Sequence, residues 1–114
     1  MTKTNGEQAE EELYRLQAEF CKGMAHPKRI QILGILKSGE KTVGELAKTA
    51  GVPQANMSQH LALLRQFGLL NTRRDGNNIY YSISDRRIVD ACELVRSCIG
   101  DRLRKAQLVL ASSS

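Results

Sequence analysis

No apolar run in this chain is long enough to cross a bilayer, and its opening residues, MTKTNGEQAEEE, have no apolar core of the kind a secretion signal needs. The expectation is a cytoplasmic protein. Cysteine is scarce: Cys21, Cys92 and Cys98 are an odd number, and neither C-x-x-C nor H-x-x-x-H occurs. That is not the pattern of a secreted disulfide framework or of a close-spaced metal motif. A phosphate-binding glycine loop, an internal repeat and low-complexity sequence are also missing. What remains is an ordinary globular composition, 41% hydrophobic and 25% charged over 114 residues. It fits a single domain over residues 1–114, with 1–6 and 111–114 as flexible tails.

Acids are few after the first twenty residues. Residues 1–20 hold two bases and five acids, a net −3, whereas residues 21–114 hold fifteen bases and seven acids, a net +8. A basic body of this size suits a polyanionic partner, although charge alone also serves solubility. One stretch has no acid at all. QANMSQHLALLRQFG, residues 54–68, carries a single full charge, Arg65, and is rich in amides in its first half and leucine in its second.

Hydrophobic spacing predicts the elements around it. Leu13, Leu16, Phe20 and Met24 recur at helical steps and give a first helix over 7–22. In AHPKRIQILGILKSGEK, Pro27 suits the first turn of a second helix, where its missing N–H costs nothing. Ile30, Leu33 and Leu36 are its expected buried face, and Gly39 its stop. TVGELAKTAGV reads as a short third helix with Thr42 and Glu45 as a capping box and Gly51 as its end. Residues 54–68 are the fourth helix. LLNTRR and NIYYSI, joined by DGN, form a β-hairpin. A long last helix follows, with Ile88, Cys92, Val95, Ile99, Leu103, Ala106 and Leu110 along one stripe. The fold is thus mainly α with a small β-hairpin: helix, helix, helix–turn–helix, hairpin, long helix. The apolar stripes of the two terminal helices have no obvious home in so small a core, which favours pairing with a second copy.

On a helical wheel, Met57, Leu61 and Leu64 face the core, while Ala55, Asn56, Gln59, Ala62 and Gln66 lie opposite. Ser58 and His60 lie on the flanks. A polar solvent face is the plain reading. Amides spaced by alanines also suit a DNA major groove, because Asn or Gln bonds adenine at two points and alanine admits close approach. Phosphates would then be met elsewhere, by Lys28, Lys41, Lys48 and Arg65, and on the hairpin by Arg73, Arg74, Asn77 and Asn78. An enzyme fits less well: Ser58 and His60 diverge by about 160° on the wheel, with no acid nearby in sequence.

MAHPKRIQILGIL, TVGELAKTAGVPQANMSQHLALLRQFGLL and TRRDGNNIYYSI together resemble the ArsR/SmtB family of winged-helix repressors, over about residues 13–107. Its more specific element is Ser58, His60, Leu61, Leu64 and Arg65, followed by Gly68 and Leu69. The resemblance implies a winged helix-turn-helix homodimer, paired through its first and last helices, that represses genes from a palindromic operator until an inducer binds. It places Gln54, Asn56, Ser58, Gln59 and His60 at bases or phosphates, and Arg73, Arg74 and Asn78 in the wing. Pro53 and Ala55 stand where members often carry serines.

The family's inducer sites differ among members. A third-helix thiol site would fall in KTVGEL, which has no cysteine. A last-helix zinc site would fall on Asp85, Arg87, Cys98 and Asp101, where Arg87 cannot ligate a metal. The second-helix cysteine of persulfide sensors is matched by Gly34. Cys21, Cys92 and Cys98 are therefore the candidate sensing thiols, for a thiophilic metalloid or an oxidising sulfur species. Cys92 and Cys98 lie about 9 Å apart along one helix and roughly 120° around it, which rules out a bridge between them. A first helix packed on the last would let Cys21 complete a three-thiolate set suited to a soft metalloid. The alternative is that these cysteines only pack, as small apolar residues. His26 is read as a helix-entry residue rather than a ligand. No cofactor is required.

Overall fold

The computed structural model describes residues 2–113. By the density of internal packing the chain divides into two compact units, Met1–Ser84 and Asp85–Ser114.

The first unit holds helix α1 (Asn5–Met24), helix α2 (Pro27–Leu36), strand β1 (Lys41–Thr42), helix α3 (Val43–Ala50), helix α4 (Gln54–Gln66), strand β2 (Leu70–Asp75) and strand β3 (Asn78–Ile83). Helices α1, α2 and α3 start where a side chain supplies an acceptor for orphan N–H groups. The Thr4 hydroxyl accepts from the Glu7 N–H at 3.1 Å, so α1 begins at Asn5, inside the expected N-terminal tail. His26 Nδ1 accepts from the Lys28 N–H at 3.1 Å, with Pro27 in the first turn of α2. Thr42 and Glu45 form the expected capping box on α3. Gly51 ends α3 at φ 67°, a left-handed conformation that a side chain would resist.

Ile32, Leu33, Leu36, Leu46, Met57, Leu61, Leu64, Leu69 and Leu70 form the core of this unit. The second helix departs from its expected face: Ile32 is fully buried, whereas Ile30 is 47% exposed. At about 100° per residue, Ile32, Leu33 and Leu36 cluster, and Ile30 lies roughly 110° from their centre. The sheet has the order β1-β3-β2, all antiparallel. Strand β1, only two residues long, is too short to show any periodicity in sequence. The hairpin turn is Gly76-Asn77; Gly76 takes the positive φ at 61°, and Asn77 does not need one.

The second unit is helix α5 (Arg86–Ser113), which takes in residues 111–113 of the expected C-terminal tail; Ser114 lies outside the described residues. Ile88 and Val89 are buried near its start. Beyond them the stripe is open: Val95, Ile99, Leu103 and Leu110 are all more than half exposed.

Candidate nucleic-acid interface

Helix α4 is fixed from one side only. Met57, Leu61 and Leu64 are fully buried, one turn apart, and lock its rotation against the core. That rotation presents Gln54, Ala55, Asn56, Ser58, Gln59, Ala62, Arg65 and Gln66 to solvent. Helix α3 precedes it across the Gly51–Pro53 turn, which gives the helix–turn–helix pair. Pro53 offers no side-chain cap, so the first N–H groups of α4 point outward uncapped.

His60 differs from its neighbours on the helix. It is half-buried, and its ring lies 4.7 Å from that of His26, tilted by 53°. Burial first, and then the neighbouring His26, Arg29 and Lys28, hold its imidazole below the ordinary histidine range. Its ring joins α4 to the start of α2.

Two of the basic residues near these helices have internal tasks. Lys28 Nζ donates to the Ala50 carbonyl at 2.9 Å and to Gln31 Oε1 at 3.2 Å, and so closes the C-terminal end of α3. Arg29 Nε donates to the Gly23 carbonyl at 2.7 Å and does the same for α1. Lys28, an expected phosphate contact, is here a part-buried cation at the C-terminus of α3, a place that explains it within the fold. Lys48 and Arg65 remain exposed, and Lys41 is half-exposed.

In the hairpin, Arg73 and Arg74 have different surroundings. Arg73 donates twice to Glu40, Nε to Oε2 at 3.1 Å and Nη2 to Oε1 at 2.5 Å, and its guanidinium lies 4.6 Å above the Tyr80 ring. The pair holds the Glu40 carboxyl below its ordinary value and raises that of Arg73. Arg74 is exposed and has no ion pair among the described residues; Asn77 and Asn78 are exposed at the tip. Glu40 was not singled out from sequence. Its signal was the alternation Glu40–Thr42, which becomes readable only once Thr42 is known to pair with Tyr80.

The positions matching a last-helix zinc site do not fit a metal. Arg87 donates to the Asp85 carboxylate through Nε at 3.0 Å and Nη2 at 2.6 Å, and its N–H adds a third bond at 2.9 Å. These bonds hold the Asp85 carboxyl at about 2, and the acid is already satisfied by a permanent cation. Cys21 and Cys98 are exposed thiols on α1 and α5, and Cys92 is half-buried on α5.

A helix–turn–helix with an amide-lined second helix, followed by a β-hairpin, defines a winged helix-turn-helix DNA-binding protein. Comparison with known proteins gives the family. The sequence profile of the bacterial regulatory proteins of the arsR family matches residues 26–72. The HTH-type transcriptional regulator Rv0081 of Mycobacterium tuberculosis is 41% identical over 101 residues, 88% of this chain and 89% of that protein. Its crystal structure superposes with a TM-score of 0.72 at 40% identity, covering 82% of this chain and 94% of that one. The homodimeric winged helix-turn-helix domain of Mb0332 from Mycobacterium bovis, solved by NMR, gives a TM-score of 0.77 at 28% identity, over 90% of this chain and 93% of that one. A probable mercury resistance operon repressor of Streptomyces lividans is 36% identical over 84 residues, 74% of this chain and 67% of that protein. The chain belongs to the ArsR family of transcriptional regulators.

Proposed function

We propose that this regulator is a homodimeric repressor that reads a palindromic operator with α4 and is released from it by a thiophilic inducer. The carrying observation is the orientation of α4: three fully buried apolar residues turn an uncharged face of amides and alanines outward. Asn56 and Gln59 supply base-edge hydrogen bonds, and Ala55 and Ala62 admit close approach. Gln54, Ser58 and the uncapped N–H groups at the start of α4 take phosphate, with Lys41, Lys48, Arg65, Arg74, Asn77 and Asn78 around them.

The homodimer rests on the apolar residues that a single chain leaves open, Leu13, Tyr14 and Leu16 on α1 and Val95, Ile99 and Leu103 on α5. Release rests on the thiols of Cys21 and Cys98, with Cys92 as a third. A mercury-resistance relative fits the same soft-ligand chemistry. Bound to thiolates, such an inducer would supply bonds that favour one packing of the dimerising helices.

Operator selection from random duplex tests the DNA reading, followed by binding of Asn56→Ala and Gln59→Ala. Each substitution should cost on the order of 1–3 kcal/mol on the selected site and little on random duplex. Equal losses on both would remove them from base readout.

A further inference from the structure

We propose that Glu40 converts Arg73 from a DNA contact into a strut that sets the angle of the wing, and leaves Arg74 as the wing's phosphate-binding cation. The inference rests on the DNA-binding reading of the hairpin.

Register and pleat place the residues. Arg73 pairs with Tyr80, and Tyr80 in turn pairs with Thr42 of β1. Side chains alternate along a strand, so Arg73, Tyr80 and Thr42 share one face of the sheet, and Glu40, two residues before Thr42, falls in line with that face. The ion pair therefore runs from β2, over the Tyr80 ring on β3, to the residue preceding β1. It ties the tip-side half of the hairpin to the segment that leads into α3. A single exposed ion pair contributes little to stability. This one is bidentate and stacked on an aromatic face, which fixes direction as well as distance.

Charge on that face points the same way. Asp75, two residues from Arg73, approaches it at 3.9 Å. Two acids thus surround one base, and this face of the wing repels phosphate as it stands. Arg74 pairs with Ile79 on the opposite face and has no acid partner among the described residues. The two neighbouring arginines, alike in sequence, are sorted by the pleat into a strut and a contact.

The slope of log affinity against log salt separates these roles, because each neutralised phosphate adds about 0.9 to it. The probe is a mixed-sequence duplex oligonucleotide, titrated with the full-length chain between roughly 50 and 200 mM salt. Arg74→Gln should flatten the slope by about one unit, a loss of affinity at low salt that is about 3.5-fold larger than at high salt. Arg73→Gln should weaken binding by the same factor at every salt concentration and leave the slope unchanged. Glu40→Gln, by freeing Arg73, should steepen the slope by about one unit, and the Glu40→Gln, Arg73→Gln double variant should lose that gain. A flatter slope for Arg73→Gln alone, or a parental slope for Glu40→Gln, would overturn the strut while leaving the DNA reading intact. A parent chain without salt-dependent duplex binding would overturn both.

Discussion

The rings of His26 and His60 lie 4.7 Å apart, so the residue that caps α2 also touches α4. His26 Nδ1 is occupied as an acceptor of the Lys28 N–H, which fixes any ring proton on its other nitrogen. His60 meets this ring from α4, with Lys28 and Arg29 contributing positive charge from α2. No acid is among the groups that shift it.

This contact predicts acid sensitivity. The folded state holds His60 below its ordinary value of 6.5, so the unfolded chain binds more protons in the window just beneath 6.5. Stability is fully present above that value and falls as the pH drops through the folded-state value. Urea unfolding from pH 7 downward should show a loss that His60→Gln removes. DNA affinity should fall over the same range, because a charged His60 is pushed from Lys28 and Arg29 and takes α4 with it. An identical acid limb in His60→Gln would assign the loss to other groups.

Much of this was legible in sequence, for identifiable reasons. The capping box at Thr42 and Glu45, the end of α3 at Gly51 and the buried triplet of α4 follow from strictly local rules, and the structure has all three. What could not be read depends on partners distant in the chain. Lys28 reaches Ala50 across 22 residues, and Arg73 reaches Glu40 across 33, so two cations taken for phosphate contacts have acceptors that no local pattern reveals. Ile30, Leu33 and Leu36 recur at three-residue steps, a spacing that does not by itself choose Ile32 over Ile30 for the buried face. The first helix starts earlier than expected because Thr4 caps it, and the last runs on to Ser113 through a short polar stretch that reads as a tail in sequence.

Gly23 is the most closely packed of the glycines. A Cβ there would stand 2.9 Å from Leu69 Cδ1 and 3.0 Å from Phe67 Cδ2, and Leu69 is fully buried. The absence of a side chain lets α1 approach the turn between α4 and β2. Gly23→Ala should therefore destabilise the fold by about 1–3 kcal/mol, despite the higher helix propensity of alanine. The denaturant midpoint measures it. A gain in stability would mean that Phe67 and Leu69 move aside freely. Gly34, with nothing near its Cβ, is the control: Gly34→Ala should be neutral or stabilising by up to about 1 kcal/mol.

Pairing should be visible as mass. Ile99 and Leu103 lie one helical turn apart on α5, 53% and 60% exposed in the single chain. Sedimentation of the parent should give twice the 12.7 kDa chain mass. Leu103→Glu should shift it toward the monomer, because a charge in an apolar contact is left without a partner. Operator binding should weaken in parallel, since two α4 helices must sit about 34 Å apart to enter successive major grooves. A fully dimeric Leu103→Glu variant would place the dimer contact elsewhere.

The cysteines give the prediction with the widest consequence. Cys21 on α1 and Cys98 on α5 are exposed thiols, each on a helix proposed to pair with a second copy. A trivalent arsenic hydroxide, or a mercuric ion, exchanges its oxygen ligands for thiolates and releases the thiol protons as water or acid. Such bonds bias the dimer only if they are stronger in the arrangement that cannot span two grooves, and the shift cannot exceed that difference in affinity. A difference of about 3 kcal/mol lowers operator affinity more than a hundredfold. Arsenite and mercuric ion should therefore release the parent from its operator, and the Cys21→Ser, Cys98→Ser double variant should stay bound at the same dose. Cys92→Ser, which alters a half-buried position, should retain release but at a higher dose. If the double variant leaves the operator at the parental dose, the thiols pack and the signal enters the protein by another route.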